Sequence, residues 1–468
     1  MAHATSRGAY GRLAERLDRF PQGAPPSDLL YGILRLLFSE REAGLVAQLP
    51  IKPFDVRKAA LTWRVSQAEA QRVLDGLASR ALLLDMETPT GTVYVLPPPM
   101  AGFFEFSMMR VRDDIDQKLL SELLYQYITV EDDFVLSLFT NGETQLGRVF
   151  VNEPALAESR ARAAAGAGGS GAGAATSGAG GSGRRAGAIS GVRRRAARPV
   201  DPGLHVLDFE RASEVIGTSP HMGVGVCYCR HKMEHVGRAC GAPMNICMTF
   251  GGTADSLIRH GFARRVDREE GMDLLREAYD ANLVQFGENV RRDVNFICNC
   301  CGCCCEAMIA ARRFGMLDPV HTTNFLPHVA EAACNGCGKC VAACPVEAMT
   351  LVSANDPHRP KRKKAALDAD ICLGCGVCTR VCTTDGLTLV ARAQRVVTPV
   401  DTLHRTVLMA IERGRLQDCI FDNRALVSHR AMAAVLGVIL RLPPVKQAMA
   451  TDQMRSRYLV SILGRVRI

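Results

Sequence analysis

Two short runs, Cys334-Asn-Gly-Cys337-Gly-Lys-Cys340-Val-Ala-Ala-Cys344-Pro345 and Cys372-Leu-Gly-Cys375-Gly-Val-Cys378-Thr-Arg-Val-Cys382, constrain this chain more than any other feature. Each has the form C-x2-C-x2-C-x3-C. Three cysteines so spaced on a tight loop wrap their thiolates around three iron corners of one cubane, so the spacing points to [4Fe-4S] clusters. Gly336, Gly338, Gly374 and Gly376 let the backbone curl close enough for its N–H groups to face sulfide and thiolate. A zinc ribbon or a disulfide scaffold has no need of this spacing twice.

Over residues 328–392 the chain resembles the bacterial two-cluster ferredoxin. The resemblance implies an α+β module with crossed ligation. Cys334, Cys337, Cys340 and Cys382 would hold one cluster, and Cys372, Cys375, Cys378 and Cys344 the other. The sequence departs from the pattern at Thr383, where a second proline is expected; Pro345 keeps the first. That proline is not a ligand, so its loss bears on loop rigidity and not on binding.

Eight of the 19 cysteines belong to this pattern. Cys227, Cys229, Cys240 and Cys247 form a looser quartet, C-x-C-x10-C-x6-C. It is open to three readings: a [4Fe-4S] cluster of its own, ligands shared with the run that follows, or zinc. That run, Cys298, Cys300, Cys301, Cys303, Cys304 and Cys305, packs six thiols into eight residues. Thiols so close oxidise or scavenge metal unless something holds them. They point to a further cluster with an unassigned ligand subset, because neighbouring side chains of an extended strand point apart. The Cys-Cys-Gly run at 300–302 resembles, over a short stretch, the cluster domains of heterodisulfide reductases. His231 and His235 share a helical face beside the quartet and read as solvated or hydrogen-bonding groups, and Cys419 reads as a buried thiol.

The rest of the chain falls into segments. Residues 1–158 carry helices at Ser27–Ala43, Phe54–Val65 and from the Ser66-Gln-Ala-Glu69 capping box, then a hairpin over 82–96. This order is similar to the winged helix of MarR-type regulators. A DNA-reading role finds little support, since residues 1–150 hold 16 Lys and Arg against 19 Asp and Glu and phosphate neutralisation supplies most non-specific affinity. Residues 159–199 contain eight arginines and no acidic residue, which is nearly all of the net charge of +9. With its Gly/Ala/Ser runs this segment reads as a disordered linker. Residues 200–327 form a cysteine-rich domain with a capping box at Asp267-Arg-Glu-Glu270, and 393–468 a helical tail. The loop Lys361-Arg-Lys-Lys364 reads as solvated, with steering of an acidic partner as the alternative.

The fold class is therefore multidomain α+β: a winged-helix-like domain, a linker, a cysteine-rich iron–sulfur domain with its ferredoxin-like module, and a helical tail. No Walker A sequence, Gly-x-Gly-x-x-Gly fingerprint, Gly-x-Ser-x-Gly or His-Glu-x-x-His appears, and no catalytic residue is assigned. The expected function is a relay of single electrons to or from an oxidoreductase partner. Its expected cofactors are two [4Fe-4S] clusters and at least one further cluster or zinc site. The alternatives are an iron–sulfur redox sensor that binds DNA, and a catalytic subunit with a noncubane cluster. Unpaired clustered cysteines and the lack of a long apolar run point to the cytoplasm.

Overall fold

The computed structural model describes residues 8–139, 144–156, 208–314, 323–392, 396, 398–421 and 427–441. The arginine-rich segment 159–199 and the Pro443-Pro444 helix break lie outside the described residues.

The N-terminal region opens with α1 (Ala9–Asp18). The helix expected over Ser27–Ala43 is two, α2 (Asp28–Leu37) and α3 (Glu40–Val46). Ser39 and Glu42 exchange side-chain and backbone bonds in a capping box, which starts a new helix inside the apolar pattern. Asp55 then caps α4 (Val56–Trp63) and Ser66 caps α5 (Gln67–Ala78). The hairpin follows as β1 (Leu84–Thr88) and β2 (Gly91–Val95), paired from Leu84↔Val95 to Thr88↔Gly91. Leu30, Ile33, Leu34, Leu74 and Leu77 are wholly buried between these elements. The stretch 113–139, helical by its pattern but with no role assigned from sequence, forms α7 (Gln117–Tyr125) and α8 (Asp133–Phe139), after a short α6 (Phe104–Ser107).

The cysteine-rich segment is built on a six-stranded sheet of order β3-β7-β8-β5-β4-β6, antiparallel throughout. Its edge strand β3 (Gly147–Val149) precedes the arginine-rich segment, so this sheet crosses the boundary drawn at 158. After α9 (Ala212–Thr218) come β4 (Met222–Val226), α10 (Tyr228–His235), β5 (Asn245–Phe250) and α11 (Gly251–Arg259). Next are β6 (Arg264–Arg265), α12 (Arg268–Asp280), β7 (Val284–Glu288), β8 (Phe296–Cys300) and α13 (Glu306–Arg313). Asp267 caps α12 as its sequence predicts.

The ferredoxin-like module pairs β9 (Phe325–Val329) with β12 (Leu387–Ala391) and β10 (Met349–Ser353) with β11 (Lys363–Leu367). Two short helices, α14 (Lys339–Ala343) and α15 (Val377–Arg380), follow the two cysteine loops. The tail forms α16 (Thr402–Glu412), α17 (Leu416–Ile420) and α18 (Val427–Arg441). It packs on both earlier parts. Arg405 pairs with buried Glu288 at 2.9 Å, and Arg413 donates to the Leu138 carbonyl at 2.9 Å. Cys419 is half-buried there. Among the described residues, no helix is long and apolar enough to cross a membrane.

The hairpin is held down on the cysteine-rich segment. Asp85 accepts a 2.6 Å hydrogen bond from Ser256 Oγ and pairs with Arg259 at 2.6 Å and His260 at 3.1 Å. Burial acts to raise the Asp85 pKa, but the bonds from Ser256, Arg259 and His260 outweigh it and hold the carboxyl below the ordinary range. A carboxylate with a pKa lower folded than unfolded stabilises the fold above its unfolded pKa of about 4. That contribution is lost as pH falls through the folded pKa. Asp85→Asn is therefore expected to lower the urea midpoint at neutral pH, with a progressively smaller effect as pH falls below about 4.

Candidate metal centres

The ferredoxin loops turn where glycine is required. Gly336 and Gly374 have φ of +70° and +67°, and a Cβ on either would sit 2.3 Å from the Lys363 carbonyl or 2.1 Å from the Phe325 carbonyl. Each loop therefore packs closely on a strand of the module at its glycine. Cys340, Cys372 and Cys378 are buried, while Cys334, Cys344, Cys375 and Cys382 are half-buried and Cys337 is exposed. The charge of Cys344 acts on Cys372, Cys375 and Cys378 of the second loop. Burial, the leading cause, pushes the Cys372 thiol up to about 11 and Cys375 up to about 12. Cys340 is raised chiefly by burial, with Cys334 and Cys337 adding to it. Buried thiols of this kind titrate late without metal, so metal binding releases protons.

Lys361-Arg-Lys-Lys364 is only partly a solvated loop. Lys363 and Lys364 lie in β11, Lys364 pairs with Glu331 at 2.6 Å, and Arg362 donates to the Cys334 carbonyl at 3.0 Å. The basic run thus braces the first cysteine loop.

The ten upstream cysteines do not keep to the two blocks seen in the sequence. Strand alternation explains why. Cys298 and Cys300 lie on one face of β8, and Cys247 of the neighbouring strand β5 lies on the same face, because Met248 pairs with Ile297. Cys227 follows β4 directly and sits at the N-cap of α10, Cys229 lies in the first turn of α10, and Cys305 sits at the N-cap of α13. The thiols then meet in sequence around a ring: Cys227 with Cys247, Cys247 with Cys298, Cys298 with Cys300, Cys300 with Cys305, and Cys305 with Cys229. The charge of Cys227 also acts on Cys229. Cys301, on the turn just past the end of β8, joins Cys303, Cys304 and Cys240 in a second group. Cys240 therefore leaves the quartet to which its spacing assigns it.

All six ring cysteines, with Cys301, line a cavity of about 360 Å³. Its other walls are largely apolar and include Met86, Phe106 and Ile128 from the N-terminal region. Charge is arranged around the ring. Arg230 is wholly buried and donates to the carbonyls of Asn299 at 2.7 Å and Pro243 at 2.8 Å. Burial works against its charge, but Cys227, Cys301, Cys247 and Cys300 outweigh burial and raise its pKa. The Cys298 thiol is held low chiefly by Cys247, and Cys305 chiefly by Cys229 and then Cys300. Beside them Lys232 and Glu306 form a buried ion pair, and the Tyr228 hydroxyl donates to Glu306 at 2.8 Å. Burial pushes Glu105 up to about 8, against hydrogen bonds from the Ala101 and Gly102 amides, so it is mostly neutral at pH 7. Lys232 is matched by Glu306, while Arg230 faces thiols of which Cys298 and Cys305 are held toward the thiolate. An anionic metal–thiolate group fits beside that buried cation, which is costly to leave unpaired.

His231 is not aimed at the ring; its Nδ1 lies 2.7 Å from the Met108 carbonyl. Lys232, Glu306 and Glu105 belong to no motif of the sequence. Glu306 follows Cys305 directly, and a charged residue beside a cysteine run is the signal that points to it.

The ferredoxin module abuts these sites. Gly302, between Cys301 and Cys303, packs so tightly on Pro345 that a Cβ would lie 2.4 Å from the Pro345 carbonyl oxygen. Pro345 directly follows Cys344. On the other side of the module, the Asn152 amide donates to the Cys375 carbonyl at 2.9 Å.

Residues 333–385 match the family described as the 4Fe-4S dicluster domain. This chain therefore carries a ferredoxin-like iron–sulfur domain with a general electron-transfer role. No curated protein and no solved structure matches it.

Proposed function

We propose that this protein is a multicluster electron relay, in which two [4Fe-4S] clusters of the ferredoxin module exchange electrons with a further iron–sulfur cluster in the ring of six thiols. The observation that carries this reading is the contact of Gly302 with Pro345, which sets a ligand loop of one module against the other. Cys334, Cys337, Cys340 and Cys382 hold the outer cluster; Cys372, Cys375, Cys378 and Cys344 hold the inner one. The clusters supply one-electron chemistry. The chain's own part is to bury them, to aim amides at their sulfurs and to set their potentials by local charge, Arg230 above all. An oxidoreductase partner gives or takes the electrons.

The N-terminal winged-helix-like region serves in this reading as a support for the ring. Its Met86, Phe106 and Ile128 wall the cavity, and Asp85 fastens its hairpin. On α5, Glu69 is engaged by Arg41 and Asp75 by Gln71 and Tyr94. Gel-shift titration at physiological salt is expected to show no sequence-specific DNA binding; tight, cluster-dependent binding favours the sensor reading instead. The relay is tested by anaerobic coulometric titration of the full chain. Electron uptake beyond that of two ferredoxin clusters is expected, and uptake limited to those two contradicts it.

A further inference from the structure

Four sulfurs stand apart from the ring. Cys240 Sγ lies 3.6 Å from Cys301 Sγ and 3.8 Å from Cys304 Sγ, and Cys303 Sγ lies 3.7 Å from Cys304 Sγ. All four lie within 4.8 Å of one another. We infer that Cys240, Cys301, Cys303 and Cys304 bind a single tetrahedral metal ion, zinc or iron, with no bridging sulfide.

Spacing decides between one ion and a cubane. Four thiolates around one ion at a metal–sulfur distance of about 2.3 Å stand about 3.8 Å apart at the tetrahedral angle. The observed separations match that figure. A cubane instead places each thiolate on its own iron corner, which holds the sulfurs well beyond contact. The same structure provides the comparison: among the described residues, no three of the eight ferredoxin cysteines or of the six ring cysteines are drawn within 4.8 Å of one another. A tetrahedral all-sulfur donor set selects zinc or iron over harder cations.

The local chain explains how the site forms. Cys301, Cys303 and Cys304 lie on the tight turn between β8 and α13, and Cys240 on the loop between α10 and β5. Arg230 acts on Cys301 and on three ring thiols alike, so one buried cation serves both sites. Cys303 is exposed and Cys240 and Cys301 are half-buried, which gives an ion a path of entry. The ion would pin two loops together around Gly302, the residue that meets Pro345. It acts as a structural clamp on the junction between the modules, and the inference holds whether or not electrons cross there.

Metal and acid-labile sulfide are to be counted on anaerobically purified full-length protein and on Cys240→Ala/Cys303→Ala. The wild-type protein is expected to hold one metal ion unmatched by sulfide. The variant is expected to lose that ion and keep its sulfide. Equal loss of iron and sulfide, or no loss of metal, overturns the inference. If the variant fails to fold, the wild-type protein still decides. Zinc should show four sulfur neighbours at about 2.3 Å in K-edge absorption, or iron should give the high-spin ferric signal of an isolated tetrathiolate on oxidation. A folded, cluster-loaded protein with neither rules the site out.

Discussion

Cys344→Ala is expected to remove the cluster of the second ferredoxin loop and to leave that of the first. Cys344 belongs to the first motif by sequence, four residues beyond the last loop cysteine. Yet its charge is felt by Cys372, Cys375 and Cys378 across the module. The short helix α14 carries the chain from Cys340 toward Cys344, about one turn on, which sets the fourth thiol roughly 6 Å further along the helix axis. Iron and sulfide in the ferredoxin module should fall by half, and the remaining reduced cluster should give an EPR signal free of splitting by its neighbour. Loss of the first loop's cluster instead would mean that ligation is not crossed. Because Pro345 follows Cys344 and touches Gly302, the variant should also slow electron exchange with the upstream site.

Lys232→Met is expected to be the most destabilising single change at the ring. The ammonium and the Glu306 carboxylate are buried together, at 0% and 6% side-chain exposure, so removing one leaves the other unpaired in a dry interior. Breaking such a pair typically costs about 3–5 kcal/mol, whereas replacing both partners with neutral groups is often close to neutral. Lys232→Met/Glu306→Gln should therefore recover much of the lost stability, even though it alters a second buried side chain, because it removes the unpaired charge. Anaerobic urea unfolding of both variants checks this. A double variant no more stable than Lys232→Met shows that the pair is not the cause.

The ferredoxin half of the metal chemistry was legible in the sequence because its ligands are local. Three cysteines and two glycines of each loop fall within a few residues, where spacing alone fixes geometry. The upstream cysteines are a different case. Which of them meet depends on β8 pairing with β5, on alternation along β8 and on the turn after Cys300, all of them long-range or conformational facts. The sequence blocks therefore mix the two groups, with Cys240 placed among ring residues and Cys298, Cys300 and Cys305 among the clamp. In the N-terminal region the caps at Ser66 and the hairpin registered locally, but the docking of Asp85 on Ser256 and Arg259 joins residues some 170 apart in the chain. The strand β3, three residues long and supplied from before the arginine-rich segment, carries no periodicity of its own to announce it.

Stepwise reduction of the anaerobic full-length protein, followed by EPR, tests the relay most directly. A signal from the upstream ring is expected that interacts magnetically with the cluster of Cys372, Cys375, Cys378 and Cys344. In Cys298→Ala/Cys305→Ala that interaction should vanish and leave the spectrum of the two ferredoxin clusters alone. A wild-type spectrum that already contains only the two ferredoxin clusters, unchanged in the variant, would contradict it.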